Sequence, residues 1–291
     1  MKILRIIGLV AFFLFSFVVG LYLTFPWNAL KDRIAIQLAE ATGWEVEATS
    51  LEPSWLTGVR IQGLKLAPPE ADEPLLFDEV VARARLLSFL TGGMGVSAWL
   101  PLGQGELDVT LARGSDETTV RAKAQGVELA MVPGFAAFTG LPLSGQLDLD
   151  ADVTLDRQDA AKSSGRIELS GSDLELGEGG KVANFPIPAL RLGNLDWEMD
   201  IEDGKVELPQ QQLRGGDVDV DLEGTVDLAT PVERTTMNLN VSFRPTPEYL
   251  QENGLIEALL NNINRAKGSD GFYTYAITGS VKHPRPFPRR R

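Results

Sequence analysis

The sequence predicts a mainly β protein with a transmembrane helix at its amino terminus, and three patterns support this fold class. The chain opens with a long apolar run, and most of its body alternates apolar with polar residues, which is the period of a β-strand. Only two later segments repeat apolar residues at the spacing of a helix. The prediction is therefore an N-terminal transmembrane helix, a short amphipathic helix, a curved antiparallel β-sheet and one further helix near the C-terminus.

The apolar run at the start of the chain is long enough to cross a bilayer. No charged side chain occurs over residues 6–30, and about 20 apolar residues in a helix span a hydrocarbon core of roughly 30 Å. A cleaved signal peptide is the alternative, because Lys2 and Arg5 would form its charged start. A signal peptide has an apolar region of only about 7–15 residues. No small-x-small cleavage site follows Gly20 either. The sequence therefore favours an uncleaved anchor at residues 6–27.

The charges on the two sides of this run indicate its orientation. Lys2 and Arg5 precede the run, whereas Lys31 and Arg33 follow it with Asp32 between them. This slight bias predicts a cytoplasmic amino terminus, with the rest of the chain outside the cytoplasm, which in a bacterium means the periplasm. The predicted divisions are a cytoplasmic segment 1–5, the anchor 6–27, a periplasmic β-domain 28–282 and a proline- and arginine-rich tail 283–291.

Composition excludes several classes of function. The chain of 291 residues carries a net charge of −13, which repels phosphate backbones, so nucleic acid is not an expected partner. Cysteine is absent, which excludes disulfides and thiolate nucleophiles. His283 is the single histidine and lies among prolines, which argues against a Ser-His-Asp triad or a two-histidine metal site. We therefore expect a protein that is not an enzyme and has no catalytic residues, metal site or cofactor.

The alternation in the body of the chain is regular. The segments QLDLDADVTLD, at 146–156, and DVDVDLEGTVDL, at 217–228, place apolar residues on one side and carboxylates on the other. Strands with one apolar face and one face in water are typical of antiparallel sheets. The predicted strands are 45–51, 59–67, 76–86, 105–112, 118–127, 145–156, 165–170, 192–201, 205–208, 217–228, 236–243 and 272–281.

Two helices cannot cover the apolar side of so many strands. The sheet must therefore curl on itself, pack against a second sheet or hold an apolar ligand. A closed sandwich and an open trough are both compatible with the alternation, and an open trough would bind lipid acyl chains. The residues predicted to face acyl chains in such a trough are Leu147, Leu149, Val153, Leu155, Ile167, Leu169, Val218, Val220 and Leu222.

The acidic sides of the same segments raise the question of a cation site. Asp-x-Asp-x-Asp runs occupy 148–152 and 217–221, but Val153 and Leu222 stand where a calcium-binding EF-hand loop needs glycine. Alternate carboxylates on a strand also lie about 7 Å apart, which is too far for one ion to bridge easily. Solvated strand faces are therefore expected, with cation binding between neighbouring strands as the alternative.

Helical spacing occurs in two segments behind the apolar run. Residues 28–42 repeat apolar residues every three or four positions up to Gly43, and 246–266 has a proline in its first turn. The prolines of the tail 283–291 predict an irregular chain there. Contact of the tail's arginines with anionic lipid or an acidic partner is the alternative.

Several stretches resemble AsmA-like proteins of the Gram-negative envelope. The strand GWEVE, the following LEPSWLTGVRIQGLKL, and MVPGFAAFTGLPLSGQLDLDADV with its Gly140, Pro142 and Gly145 are similar to members of this superfamily. AsmA-like relatives are associated with moving or holding lipids. The resemblance therefore implies a lipid-binding or lipid-transfer protein whose ligands are the acyl chains of phospholipid or lipopolysaccharide.

The end of the chain resembles one family within that superfamily. The stretch GFYTYAITGSVKHP, with Gly271, Tyr273, Gly279 and Pro284, is similar to the type II secretion system protein N family, as is the length of the chain. This resemblance implies a single-pass inner-membrane protein that faces the periplasm. It also implies a non-enzymatic accessory of type II secretion, with the membrane and other secretion-system proteins as partners. We take the secretion role as the first expectation and the lipid role as its alternative.

Overall fold

The structure is a computed structural model that places 62% of the residues it describes in strands. None of the helices in the part of the chain that it describes is long and apolar enough to cross a membrane. The described residues are 27–55, 57–68, 74–85, 93–132, 134–136, 141–182, 185–230 and 234–289.

The predicted fold class is therefore wrong in including a transmembrane helix. Residues 6–26 of the predicted anchor and the segment 1–5 lie outside the described residues, and Trp27, the last anchor residue, begins helix α1 instead. Helix α1, Trp27–Thr42, carries the charged residues Lys31, Asp32 and Arg33 on its 16 residues, which makes it too short and too polar to span a bilayer. The fold that the structure shows is one large antiparallel sheet with short helices.

The strands follow one another along the chain with short connections. All twelve predicted strands are present, although the segment 45–51 divides between two short strands. In chain order they are β1 Glu45–Glu47, β2 Ser50–Ser54, β3 Gly58–Ala67, β4 Leu75–Ala84, β5 Met94–Leu102, β6 Gly105–Arg113, β7 Glu117–Glu128, β8 Leu143–Asp156, β9 Ser164–Leu176, β10 Lys181–Val182, β11 Phe185–Pro186, β12 Leu190–Glu202, β13 Lys205–Gly215, β14 Val218–Asp227, β15 Thr236–Pro245, β16 Tyr273–Ser280 and β17 His283–Pro288.

Fifteen of these strands form one antiparallel meander, which we call the main sheet. The strand order follows the chain from β3 to β17, and β1 and β2 lie one after the other along the outer edge of β3. Strands β10 and β11 form a separate two-stranded hairpin. The antiparallel pairing agrees with the alternation in the sequence, because a meander lets one face of each strand remain in water.

Helices pack at two places on the apolar side of the main sheet. Helix α1 brings Trp27, Leu30 and Ile34 against a small core of Leu51, Ile61 and Val80 on β2, β3 and β4. Leu38, which helical spacing places on the same side, stays 40% exposed. The α1 side chains that pack on this core therefore come from its first two turns.

The helix predicted over 246–266 is interrupted. Thr246 caps helix α2, Pro247–Glu252, and its hydroxyl accepts a hydrogen bond from the Tyr249 N–H. The backbone of Asn253 (φ −122°, ψ 65°) is not helical, and helix α3, Gly254–Asn262, starts behind it. Asparagine and glycine both disfavour the interior of a helix, which explains the break. Leu260 of α3 then packs against Tyr273 and Phe243.

The expectation of an irregular tail is wrong for His283–Pro288, which form the edge strand β17. The Arg289 N–H donates to the Thr274 carbonyl at 2.9 Å, so alternate residues Arg285 and Phe287 also turn their N–H groups toward β16. The intervening residues turn the other way, toward the free edge, and these are Pro284, Pro286 and Pro288. Since proline has no N–H, the prolines fit this strand and remove its outward donors.

This arrangement predicts that the prolines keep a second strand from adding to the β17 edge. Replacing Pro284, Pro286 and Pro288 together by threonine supplies outward N–H donors on a strand-favouring residue. We expect the triple variant of the full-length chain to associate in a concentration-dependent way in sedimentation velocity.

The matched control is Phe287→Thr, which adds no outward donor because the Phe287 N–H faces β16. Association of the control to the same extent, or a triple variant that sediments like the unmodified chain, would contradict this role of the prolines.

Candidate functional site

The nine residues predicted to line an apolar trough lie on one face of the main sheet. Leu149 is directly opposite Leu169, and residues directly opposite each other on neighbouring strands point to the same face. The register through β12 and β13 carries this face to β14, where Val220 is opposite Leu213. The nine residues are Leu147, Leu149, Val153 and Leu155 on β8, Ile167 and Leu169 on β9, and Val218, Val220 and Leu222 on β14.

Strands β12 and β13, which hold none of the nine predicted residues, connect those on β8 and β9 with those on β14. Trp197 of β12 lies opposite Leu169, Met199 lies opposite Ile167, and Leu195 lies opposite Leu213 of β13. The same alternation marks them, since LDWEMDIE at 195–202 places four apolar residues on one side. We call the combined surface the central apolar face: the nine predicted residues together with Leu195, Trp197, Met199 and Leu213.

Most of the central apolar face is half-buried rather than enclosed. Leu213 is buried, the other members retain partial exposure, and Leu155 is 38% exposed. The cores that involve α1 and α3 lie at the two ends of the main sheet, and a third, around Leu102 and Val127, reaches only Leu149. Among the described residues, α1 and α3 therefore contribute to the cores at the two ends and not to a core at the middle of the face.

Among the described strands the only sheet other than the main sheet is the hairpin β10–β11. The described strands therefore form one large meander rather than a closed sandwich of two large sheets.

The opposite face of the sheet is charged, and ion pairs on this face join side chains of different strands. Arg121 Nε lies 2.7 Å from Asp152 Oδ2, and Arg166 Nε lies 2.8 Å from Asp200 Oδ1. The hydrogen bond to Asp200 raises the pKa of Arg166. These pairs are exposed and each contributes little to stability. Their charged side chains favour exposure of this face to water, and the apolar side chains of the same strands therefore lie on the other face.

Both Asp-x-Asp-x-Asp runs have protein partners for their carboxylates. On β8, Asp148 accepts from the Gly126 N–H at 2.7 Å, and Asp150 and Asp152 pair with Lys123 and Arg121. No set of three histidine, cysteine or carboxylate side chains that could hold a metal ion occurs among the described residues.

The run on β14 is held by three arginines from three other strands. Arg191 binds Asp217 through its backbone N–H and its guanidinium, with Nη2 2.6 Å from Oδ1. Arg244 Nη2 lies 2.7 Å from Asp219 Oδ2, and Arg214 pairs with the buried Asp221. Because each arginine comes from another strand, the three pairs fix the register of β14. That register presents Val218, Val220 and Leu222 on the opposite side.

Comparison with protein-family models, curated proteins and solved structures finds no match for this chain. The resemblance to AsmA-like proteins and to the type II secretion system protein N family therefore stays a prediction. The class of protein that the structure defines is a single-meander β-protein with one half-exposed apolar face and one charged face.

The Arg191–Asp217 contact predicts a pH dependence of stability. The hydrogen bonds from Arg191 hold the pKa of Asp217 below its usual value. Its contribution to stability is then complete above the unfolded-state pKa of about 3.9 and is lost as the pH falls through the lower, folded-state pKa. We expect Asp217→Asn to lower the free energy of unfolding at pH 7 by about 1–2 kcal/mol and to reduce its dependence on pH in this acid range.

Denaturant unfolding of the full-length chain between pH 7 and 2 measures this effect. The matched control is Asp196→Asn, because Asp196 is an exposed carboxylate on β12, the strand of Arg191, and has no ion pair among the described residues. An acid dependence that Asp217→Asn leaves unchanged, or that Asp196→Asn reduces equally, would show that the Arg191 contact is not its source.

Proposed function

We propose that this chain is a non-enzymatic envelope protein that holds lipid acyl chains against the central apolar face. The observation that carries the proposal is an apolar surface continuous over β8, β9, β12, β13 and β14 whose residues remain half-exposed. An exposed apolar surface of this extent is unfavourable in water unless a ligand or a partner covers it. The resemblance of the sequence to AsmA-like envelope proteins supports lipid as the ligand.

An acyl chain suits this surface better than a compact apolar ligand does. Successive strands lie about 4.8 Å apart, so five strands give an apolar path of roughly 19 Å, close to the length of an extended acyl chain. Each methylene buried on it would contribute about 0.8 kcal/mol. Polar groups that would fix the orientation of a smaller ligand are few there, because the charged side chains of these strands point to the opposite face.

The proposal predicts that a charge on the central apolar face removes bound lipid. Ile167 of β9 is half-buried between Ala151 and Met199, and Ile167→Asp places a carboxylate where methylenes would pack. We expect the lipid that co-purifies with the full-length chain, counted per mole of protein by mass spectrometry, to fall about tenfold or more.

Thr110→Asp is the control, since it adds the same charge on the opposite face beside Arg121. Circular dichroism of both variants shows whether the sheet is retained. A folded wild-type chain that carries no lipid and takes up none from vesicles overturns the acyl-chain proposal.

A second candidate function is that of an accessory of type II secretion at the periplasmic side of the inner membrane. It is favoured by the resemblance of the stretch 271–284, which in the structure contains all of β16 and the start of β17. This candidate needs contact with other secretion-system proteins, and the sheet edge at β17 has a composition that discourages strand addition. Contact would then occur through side chains rather than through backbone pairing.

Deletion of the gene in its native host separates the two functions. Loss of secreted type II substrates from the medium, restored equally by the wild-type chain and by Ile167→Asp, would support a secretion role that does not depend on lipid. Restoration by the wild-type chain alone would link secretion to the central apolar face. Unchanged secretion after deletion would remove the second candidate.

A further inference from the structure

A cleft with two tryptophans and two arginines lies on the charged face of the main sheet, near the amino-terminal end. Its floor follows one row across four strands, because Arg60 of β3 is opposite Val81, Val81 is opposite Trp99, and Trp99 is opposite Asp108 of β6. The cleft has a volume of about 730 Å³ and also contacts Trp55 and Arg83. It lies on the side opposite the central apolar face and is independent of the proposed acyl-chain surface.

The two tryptophans are presented in different ways. The Trp99 indole N–H donates to Glu106 Oε2 at 2.9 Å, which fixes the orientation of its ring along the sheet. Trp55 is in the turn after β2, is 81% exposed, and has a φ of 57°, a left-handed conformation that disfavours any side chain larger than glycine. A large aromatic side chain in a strained and solvent-exposed position contributes little to the core. Such features are more often found where a protein contacts a ligand.

One cation of the cleft, Arg83, has no carboxylate partner among the residues that the structure describes. Arg60 Nε lies 3.2 Å from Glu79 Oε1, so its charge is balanced within the protein. Arg83 is exposed, and no ion pair among the described residues includes it. Its guanidinium presents parallel N–H donors that match the two oxygens of a carboxylate or a phosphate. The hydroxyl of Ser97 and the carboxylate of Asp108 add smaller polar groups along the same wall.

We propose that this cleft binds an anionic saccharide. A pyranose ring has an apolar C–H face that packs on an indole, and hydroxyl groups at its rim that both donate and accept hydrogen bonds. The cleft combines these requirements, with Trp55 and Trp99 for the ring, Asp108 and Ser97 for hydroxyls, and Arg83 for the anionic group. A volume of about 730 Å³ is in the range of small-molecule sites. A nucleic acid is a poor alternative, because the net charge of −13 repels its phosphate backbone.

The anionic group can be a carboxylate or a phosphate, and the probes distinguish the two. Isothermal titration of the full-length chain compares trigalacturonate with its neutral methyl ester, and glucose 6-phosphate with glucose. We expect one of the two anionic probes to bind about tenfold more tightly than its neutral counterpart. Tighter binding of trigalacturonate indicates a uronic acid ligand, and tighter binding of glucose 6-phosphate indicates a phosphorylated sugar.

Three variants test which side chains are responsible. Trp55→Ala should weaken the preferred probe about tenfold without loss of folding, because it removes an exposed side chain from a strained turn. Arg83→Gln should reduce the affinity for that probe to that of its neutral counterpart. The matched control is Arg85→Gln, because Arg85 is exposed two residues further along and is outside the residues that line the cleft.

Binding of neither anionic probe by the wild-type chain overturns the proposal. So does an Arg85→Gln variant that loses as much affinity as Arg83→Gln, since attraction to general positive charge would then explain the binding. Neither result affects the acyl-chain proposal, which depends on residues of the opposite face.

Discussion

The structure depends on one constraint, which is that the central strands of the main sheet keep their apolar side chains on one side and their charged side chains on the other. Antiparallel pairing in sequence order aligns these sides from strand to strand, as in the register of Leu149 with Leu169 and of Leu169 with Trp197. A slip of one residue in any pair would turn a row of carboxylates into the apolar side. The continuity of both faces therefore rests on the accuracy of the register along the whole meander.

The ion pairs on the charged side contribute to that accuracy more than to stability. Surface pairs such as Arg121–Asp152 are worth little on their own. Their partners come from different strands, however, and Asp217, Asp219 and Asp221 each meet an arginine from a separate strand. A shifted β14 would separate these charges from their partners and leave the buried Asp221 without a counterion, which is costly. The acidic residues thus help to fix the strand register that keeps the apolar residues between them on one side of the sheet.

The ends of the main sheet differ from its middle. At one end α1 covers Leu51, Ile61 and Val80, and at the other α3 packs on Tyr273, so both ends have small cores of their own. The middle relies on pairing with neighbouring strands, and its apolar side chains stay partly exposed to solvent. The backbone hydrogen bonds of a meander are satisfied without a covering layer. An exposed apolar face is therefore compatible with an ordered sheet.

The sequence by itself determined the strands and the side to which each residue points, because the alternation of side chains along a strand is local geometry. Strand β5 was missed because MGVSAWLPL lacks a clean alternation, and the break at Asn253 was missed because apolar spacing continues past it. Only the tertiary structure decided that Trp197 and Leu213 join the predicted apolar residues of β8 and β9 to those of β14 in one surface. It also decided that β17 is a strand despite its prolines, because the positions without an N–H face a free edge. Each of these outcomes depends on which strand lies beside which and on what packs above it, and those relations are set by contacts between residues far apart in the chain.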